Sequence, residues 1–415
     1  MKVNTKSALG LGALLVAGAV ALTGCGGNAE SGSGGDNGSN GAGAAGTLTI
    51  WVDANRATAL KDVAAAFEED KGVAVKLVTK DFSKIQEEFA AQVPTGKGPD
   101  ITVGAHDWLG GFVQNGLVAP VDLGDKAAEF QPVAVSAFTD DGKVYGLPYA
   151  IENIALMRNA DLVPEAPTSF DDMIAKGTAA GVQYPFVVGL DPANADPYHL
   201  YPFQTSFGNS VFAQNADGSY DGSKLTVGDE TGVAFATWLG QQGKAGTINL
   251  NLTQDLSKEA FNSGKSPFIL TGPWNVADAQ AKGINIAVDP IPSAGGQPAR
   301  PFVGVQGFYV NAKSENTLIA NEFLTNYLAT EDVQTALFEA GDRAPALTSA
   351  FEKASADPIV AGFGAVGKDG VPMPSIPEMG AVWEFWGVTE AAVIKGEDPA
   401  ATWAKMTADI QAKLG

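Results

Sequence analysis

Cysteine, histidine and basic residues are all scarce in this chain of 415 residues. Its one cysteine, Cys25, allows no intrachain disulfide, so noncovalent packing must hold the fold. The two histidines, His106 and His199, stand far apart, and with no cysteine to spare a zinc site of usual ligand spacing is excluded. Lys and Arg number 26 against 47 Asp and Glu, a formal net charge of −21. Such a chain repels nucleic acid and anionic headgroups. After Leu22 no apolar run is long enough to span a bilayer. A serine nucleophile elbow is also missing. Gly264-Lys265-Ser266 looks like the end of a phosphate loop, but Glu259 stands where the earlier glycine is needed. No cofactor and no metal are expected. Carboxylate pairs for glycoside hydrolysis stay open, because acids are plentiful and their separation in space is not a property of the sequence.

What is present begins at the N-terminus. Lys2 and Lys6 precede an apolar run from Ala8 to Leu22, and Leu22-Thr23-Gly24-Cys25 follows. That run suits a secretory signal better than a membrane span. The small residues Thr23 and Gly24 favour cleavage before Cys25, whose thiol would then carry a lipid. Stable anchoring takes more than one acyl chain, at about 0.8 kcal/mol per buried methylene. The expectation is a signal peptide over 1–24 and a lipid-anchored protein on the outer face of a membrane. A cleaved, soluble secreted protein with a free thiol is the alternative. Residues 25–46 read as the lipidated cysteine and a Gly/Ser-rich linker, with an r.m.s. span of roughly 25 Å. At 45% hydrophobic residues, the remainder can bury a core and divide into two or three domains.

From Thr47 the pattern alternates strand and helix. Thr47 to Val52 reads as a buried strand, and Leu60, Val63, Ala64 and Phe67 make the apolar face of a helix. A second strand covers Val73 to Val78. Ser83 to Gln86 has the form of a capping box ahead of Ile85, Phe89 and Val93. Gly98-Pro99-Asp100 precedes a strand at Ile101 to Val103, and Asp107 could cap the next helix. This is a βαβ pattern with a mostly parallel sheet. Residues 178–221, rich in Gly, Pro, Asn and aromatics, read as loops with short strands. Ile319, Phe323, Leu324, Tyr327 and Leu328 form a helical stripe, as do Trp403, Met406, Ile410 and Leu414.

Aromatics stand beside hydrogen-bonding residues at Asp107-Trp108, Asp196-Pro197-Tyr198, Gly272-Pro273-Trp274 and Trp383-Glu384. Carbohydrate sites need this combination. A pyranose has an apolar face that stacks on indole or phenol, and a rim of hydroxyls that suit carboxylates and guanidinium groups. Loop aromatics that anchor loops to the core are the competing explanation. Trp51, Trp238 and Trp403 are assigned to the core.

Several stretches stand in a telling order: Gly98-Pro99-Asp100-Ile101, Ala105-His106-Asp107, Gly110-Gly111 and Gln114 to Leu117. Gly272-Pro273-Trp274, Pro301 to Val305 and Met373 to Pro377 follow, and then Met379 and Trp383. On these stretches and their spacing, the chain from about Thr47 to the C-terminus resembles the maltose/maltodextrin-binding proteins of ATP-driven sugar importers, within the extracellular solute-binding proteins. The resemblance implies a two-lobed, periplasmic-binding-protein-like α/β fold, each lobe a mostly parallel sheet flanked by helices, the two joined by a hinge. The first lobe would hold 47–150 plus 305–353, and the second 155–300 plus 356–415. Glu152 would lie at the first crossing.

It also implies cleft residues. The polar pair after the first strand falls at Asn55 and Arg56, where the family has a carboxylate and a lysine. Glu87 and Asp107 match cleft carboxylates. Gly104 stands where a tryptophan is expected before Asp107, and Trp108 replaces an arginine, adding a third platform. Asp196-Pro197-Tyr198 matches a Glu-Pro-Tyr motif, and Trp274 and Trp383 match two stacking tryptophans. Met373 joins this set. Glu384 replaces a tyrosine, Gly387 takes the place of an arginine, and Trp386 fills space nearby. His106 is expected to be structural, bonded within its loop, and His199 to sit on the rim. The ligand implied is a maltose-class oligosaccharide, or another oligosaccharide. The partner is an ABC permease in the membrane, and a monomer without catalysis is expected. A surface glycosidase and a glycan-binding adhesin are the other classes weighed.

Overall fold

A computed structural model describes residues 46–215 and 220–415. The expected signal peptide, Cys25 and the linker through residue 45 lie outside the described residues. Among the described residues two main sheets make two lobes, the first with one hydrophobic core and the second with a cluster on each face. The first sheet has eight strands. Its main path runs from Ala344–Pro345 through β4 (Gly146–Asn153), β9 (Phe302–Asn311), β3 (Ile101–Ala105) and β1 (Thr47–Val52) to β2 (Ala74–Thr79). The second has four, in the order β8 (Ile286–Asp289), β5 (Ala155–Asn159), β7 (Phe268–Thr271) and β6 (Val187–Val188).

The mostly parallel expectation holds only in part. β1 pairs parallel with β2 and β3. β9 runs antiparallel to both β3 and β4, and β5 runs antiparallel to β7 and β8. The reason is connectivity. β4 leads straight into β5 and carries the chain out of the first lobe, while β9 brings it back, so these neighbours run in opposite directions. β9 belongs to both cores: Phe302 packs with the second and Val305 with the first. Val371–Pro372 pairs with the start of β9 and marks a further passage between the lobes.

Local chemistry explains the elements. The helix α1 (Lys61–Lys71) buries Val63, Ala64 and Phe67 and ends at Gly72, whose φ of 66° lies in the left-handed region that glycine adopts freely. Phe67 meets Phe323 and Tyr327 edge-on at 5.0 and 4.7 Å. Burying such a ring contributes roughly 1.5–3 kcal/mol. The helix α2 (Phe82–Gln92) is capped by Asp81, which accepts from the Ser83 backbone N–H. The expected capping box at Ser83 therefore starts two residues too late: the Asp81 carboxylate takes up the Ser83 backbone N–H, and the Ser83 hydroxyl donates back to it. Residues 178–221 are not all loop. They contain the helix α3 (Pro197–Ser206), announced by the pair Asp196 at the N-cap and Pro197 at the first turn. Two more helices matter below: α4 (Gln254–Asn262) and α5 (Met379–Ile394). In the second lobe Arg158 on β5 donates to Asp289 on β8 at 2.6 Å and holds the carbonyls of Val163 and Pro164. No helix among the described residues is long and apolar enough to cross a membrane.

Candidate functional site

A cleft of about 620 Å³ opens between the two lobes. The first lobe contributes the start of α2, Asp107 after β3, Glu152 on β4, Gln306 on β9, and Arg343. The second contributes Asp196, Tyr198 and His199 around the start of α3, Gln254 and Lys258 from α4, Trp274, Met373, and Trp383 on α5. A smaller cavity of about 340 Å³ shares Glu152 with the cleft, and Phe351, Val360 and Phe363 line it. No unpartnered buried side-chain atom belongs to its lining among the described residues, which directs attention to the cleft.

The cleft is framed by two indoles. Trp274 follows Gly272, where an added Cβ would lie 2.1 Å from the Trp274 ring, so only glycine lets the indole fold back over the turn. Arg343 sits over that ring, its Cζ 5.4 Å from the centroid, and His199 meets it edge-on at 5.8 Å. Trp383 stacks on the fully buried Trp386, 5.5 Å away at 24°. Its indole N–H donates to Asp107 Oδ2 at 3.2 Å.

A polar chain runs across the floor. Glu152 accepts from Gln306 at 2.8 Å and from the Arg343 guanidinium. Burial works to lower the Arg343 pKa, but the charge and hydrogen bond of Glu152, with Tyr149 and Tyr198, together outweigh it and hold the group above its ordinary value. Asp107 is pushed up to about 7, chiefly by desolvation, with the Trp383 hydrogen bond opposing and Glu152 adding repulsion. Burial raises the Tyr198 pKa well above the usual phenol range. Asp196 caps α3 through the His199 backbone N–H at 3.1 Å, and it accepts from His199 Nδ1 at 2.7 Å and Gln254 at 3.1 Å. Three atoms on this lining are buried without a partner: Asp107 Oδ1, Tyr198 Oη and His199 Nε2. Such groups cost roughly 1–3 kcal/mol each, a cost that a polar ligand relieves. Stacking faces beside unpaired hydrogen-bonding groups suit a flat-faced, hydroxyl-rich molecule. No cluster of metal-ligating residues occurs among the described residues.

Residues 62–362 match the family model of bacterial extracellular solute-binding proteins. The chain belongs to that family. A galactooligosaccharide-binding protein of Bacillus subtilis (strain 168) is 29% identical over 351 residues, 81% of this chain and 82% of the relative. The maltodextrin-binding protein MdxE of the same organism is 28% identical, over 81% of this chain and 82% of the relative. A maltooligosaccharide ABC transporter solute-binding lipoprotein of Streptococcus pneumoniae is 28% identical over 81% of each chain. Among solved structures, the Thermus thermophilus maltotriose-binding protein bound with maltotriose aligns with a TM-score of 0.81 and 32% identity. That alignment covers 89% of this chain and all of the other. The two-lobed architecture is thus that of a periplasmic-binding-protein-like fold.

The members of the implied site separate into two groups. Asp107, Glu152, Asp196, Tyr198, Trp274, Met373 and Trp383 line the cleft together. Asn55 and Glu87 are exposed on their helices and do not line it. Arg56 lies beneath the floor, 3% exposed, held by Asp53, Tyr149 and Gln306, with its guanidinium 4.8 Å over Phe82. Its guanidinium is taken up by these partners and does not line the cleft. Trp108 is a core residue packed on Phe82 and Phe112, not a third platform. A Cβ at Gly104 would lie 2.5 Å from the Trp108 ring, so the two departures from the family pattern fit each other. Asp107 does not cap a helix; its carboxylate turns to Trp383.

His106 is structural, as expected, but its bonds leave its loop. It accepts from the Val305 N–H and bonds the Met373 carbonyl, each at 3.0 Å. His199 is buried in the cleft wall and not on the rim. Glu384 points away and pairs with Lys413. Gly387 packs so closely on the loop before α3 that a Cβ would meet the Asn194 carbonyl at 2.3 Å, which leaves no room for the expected arginine. Arg343 supplies a guanidinium from the opposite lobe instead. It carries no local sequence signal, because its partners Glu152 and Trp274 are distant in the chain.

Proposed function

We propose that this chain is a noncatalytic capture protein for maltooligosaccharides, closing its lobes on the sugar and delivering it to the permease of an ABC importer. The moving bodies in this reading are 47–150 with 305–353, and 155–300 with 356–415. A ligand that touches both lobes favours the closed state through that differential contact. The observation that carries the proposal is the pairing of Trp274 and Trp383 with three unpartnered polar atoms in one interlobe cleft. The maltodextrin, maltooligosaccharide and maltotriose names of the similar proteins support the ligand class. Micromolar capture needs about 8 kcal/mol net.

A binding role fits the carboxylates better than hydrolysis. Glu152 and Asp196 are already engaged by Arg343, Gln306, His199 and Gln254, whereas Asp107 keeps one buried oxygen without a partner among the described residues. A glycosidase needs two working carboxyls. Export and anchoring through Cys25, on a monomeric body, complete the reading. The lipoprotein named among the relatives supports it.

A thermal-shift and calorimetric screen over maltose, maltotriose, longer maltodextrins and galactooligosaccharides tests the ligand class. Binding to the native state raises the melting temperature with ligand concentration. Stabilisation by maltotriose is expected; a response to galactooligosaccharides alone would favour the specificity named for one Bacillus relative. Chain shortening of maltodextrins on long incubation would end the noncatalytic reading. Release of a Cys25→Ser variant from cell membranes tests the anchor.

A further inference from the structure

His199 is 4% exposed, yet only one of its ring nitrogens is satisfied. Nδ1 lies 2.7 Å from Asp196 Oδ2, and an ionised carboxylate only accepts, so Nδ1 carries the proton. In the neutral ring Nε2 is then a bare lone pair. It has no partner among the described residues, and the residue lines the cleft with its ring edge toward Trp274. Asp196 is fixed in turn by the His199 backbone N–H and by Gln254. The left-handed φ of 46° at Ala195, uncommon for a residue with a Cβ, precedes this cap. His106 has the opposite arrangement: its Nδ1 accepts from Val305, so Nε2 holds the proton and donates to Met373.

We infer that His199 Nε2 is a specificity-determining acceptor for one sugar hydroxyl, and that Asp196 is its positioning residue, fixing the tautomer and not touching the ligand. The inference rests on the oligosaccharide reading above. Together with Asp107 Oδ1 it gives the cleft two acceptors from opposite lobes. A captured glycan must therefore present an O–H donor to each, one beside Trp274 and one beside Trp383. A ligand with an ether or a C–H at the first position leaves Nε2 buried and unpaired.

The chain has only two histidines, so ring nitrogen spectra separate cleanly. In the whole protein above neutral pH, nitrogen-15 correlation spectra should show His199 protonated at Nδ1 and His106 at Nε2. Saturating maltotriose should shift the His199 Nε2 resonance as it accepts a hydroxyl, with the His106 tautomer unchanged. His199→Phe, which keeps the aromatic edge, should weaken maltotriose binding roughly twofold to tenfold, the scale of one neutral hydrogen bond. Among monodeoxy maltotrioses, one should lose its penalty in that variant, since the deleted hydroxyl and the deleted acceptor are partners. Asp196→Asn keeps a capping oxygen but should mix the His199 tautomers.

Three results would overturn the inference while leaving the capture role intact. One is His199 protonated at Nε2 in the wild type. Another is an Nε2 signal unmoved when calorimetry shows maltotriose bound. The third is wild-type affinity in a folded His199→Phe variant. No maltotriose binding by the wild type would instead sink the oligosaccharide reading, and this inference with it.

Discussion

Trp383 donates its indole N–H to Asp107 Oδ2 across 3.2 Å, joining a helix of the second lobe to the loop after β3 of the first. In the proposed site one residue is a stacking face and the other a hydroxyl acceptor, so the contact would set both halves at once. Trp383→Phe should keep most of the stacking and lose the tie, whereas Trp383→Ala should lose both. The alanine variant should weaken the best ligand roughly 30-fold, a loss of about 2 kcal/mol as for a central aromatic anchor. Unchanged affinity by calorimetry in Trp383→Ala would remove this residue from the site.

Asp107 gives the cleft a pH dependence. Its folded pKa of about 7 lies above the ordinary 3.8, so the folded state holds this proton more tightly than the unfolded chain does. The stabilisation it contributes is complete below the unfolded value and is lost as pH rises through about 7. Asp107→Asn should therefore flatten the fall in melting temperature over that window. Binding has the opposite sign. A hydroxyl that donates to Oδ1 favours the carboxylate, so wild-type affinity should rise from pH 5 to pH 8 with proton release. Affinity that falls over this range would contradict the assigned contact.

Gly104 and Trp108 form a matched pair. Gly104→Ala places a methyl 2.5 Å from the Trp108 ring and 2.9 Å from Tyr309, and should cost about 1–3 kcal/mol. Adding Trp108→Leu should recover part of that loss. Additive losses in the double-mutant cycle would show that the two positions do not interact.

Arg343 is the other partner of Glu152. Arg343→Met leaves that buried carboxylate with Gln306 alone, and breaking such a pair costs about 3–5 kcal/mol. Denaturant unfolding should show a lower midpoint. A double variant with Glu152→Gln should be more stable than Arg343→Met alone, because no uncompensated charge remains.

Glu390 lies fully buried on α5 with neither oxygen partnered, and burial pushes its pKa well above the carboxylate range, with Asp196 adding repulsion. Trp386, one turn earlier, also has an unpaired N–H. Glu390→Met should raise the melting temperature by roughly 2 °C or more, since an apolar group of similar length removes the desolvation cost. A lower melting temperature would mean that the carboxyl has a partner which the packing of α5 requires.

Local order alone set much of this protein. The strand at 47–52, the stripe of Val63, Ala64 and Phe67, and the late helix carrying Trp403, Met406 and Ile410 follow from side-chain periodicity, which acts within a few residues. Gly272-Pro273-Trp274 and Asp196-Pro197-Tyr198 are implied as cleft segments by the family resemblance and not by local order, and Trp274, Asp196 and Tyr198 do line the cleft. Tertiary structure decided the rest, because the deciding contacts are distant in the chain. Arg56 and Asn55 adjoin in sequence, yet packing buries one under Tyr149 and Gln306 and leaves the other in water. Trp108 became core because Gly104 left it space, and Gly387 lost its expected arginine to the Asn194 carbonyl. Arg343 entered the cleft through Glu152 and Trp274, and His199 through Asp196 and Gln254. A sequence records which groups are available; which of them are desolvated and left unpaired depends on how two lobes meet, and that is set by packing over the whole chain.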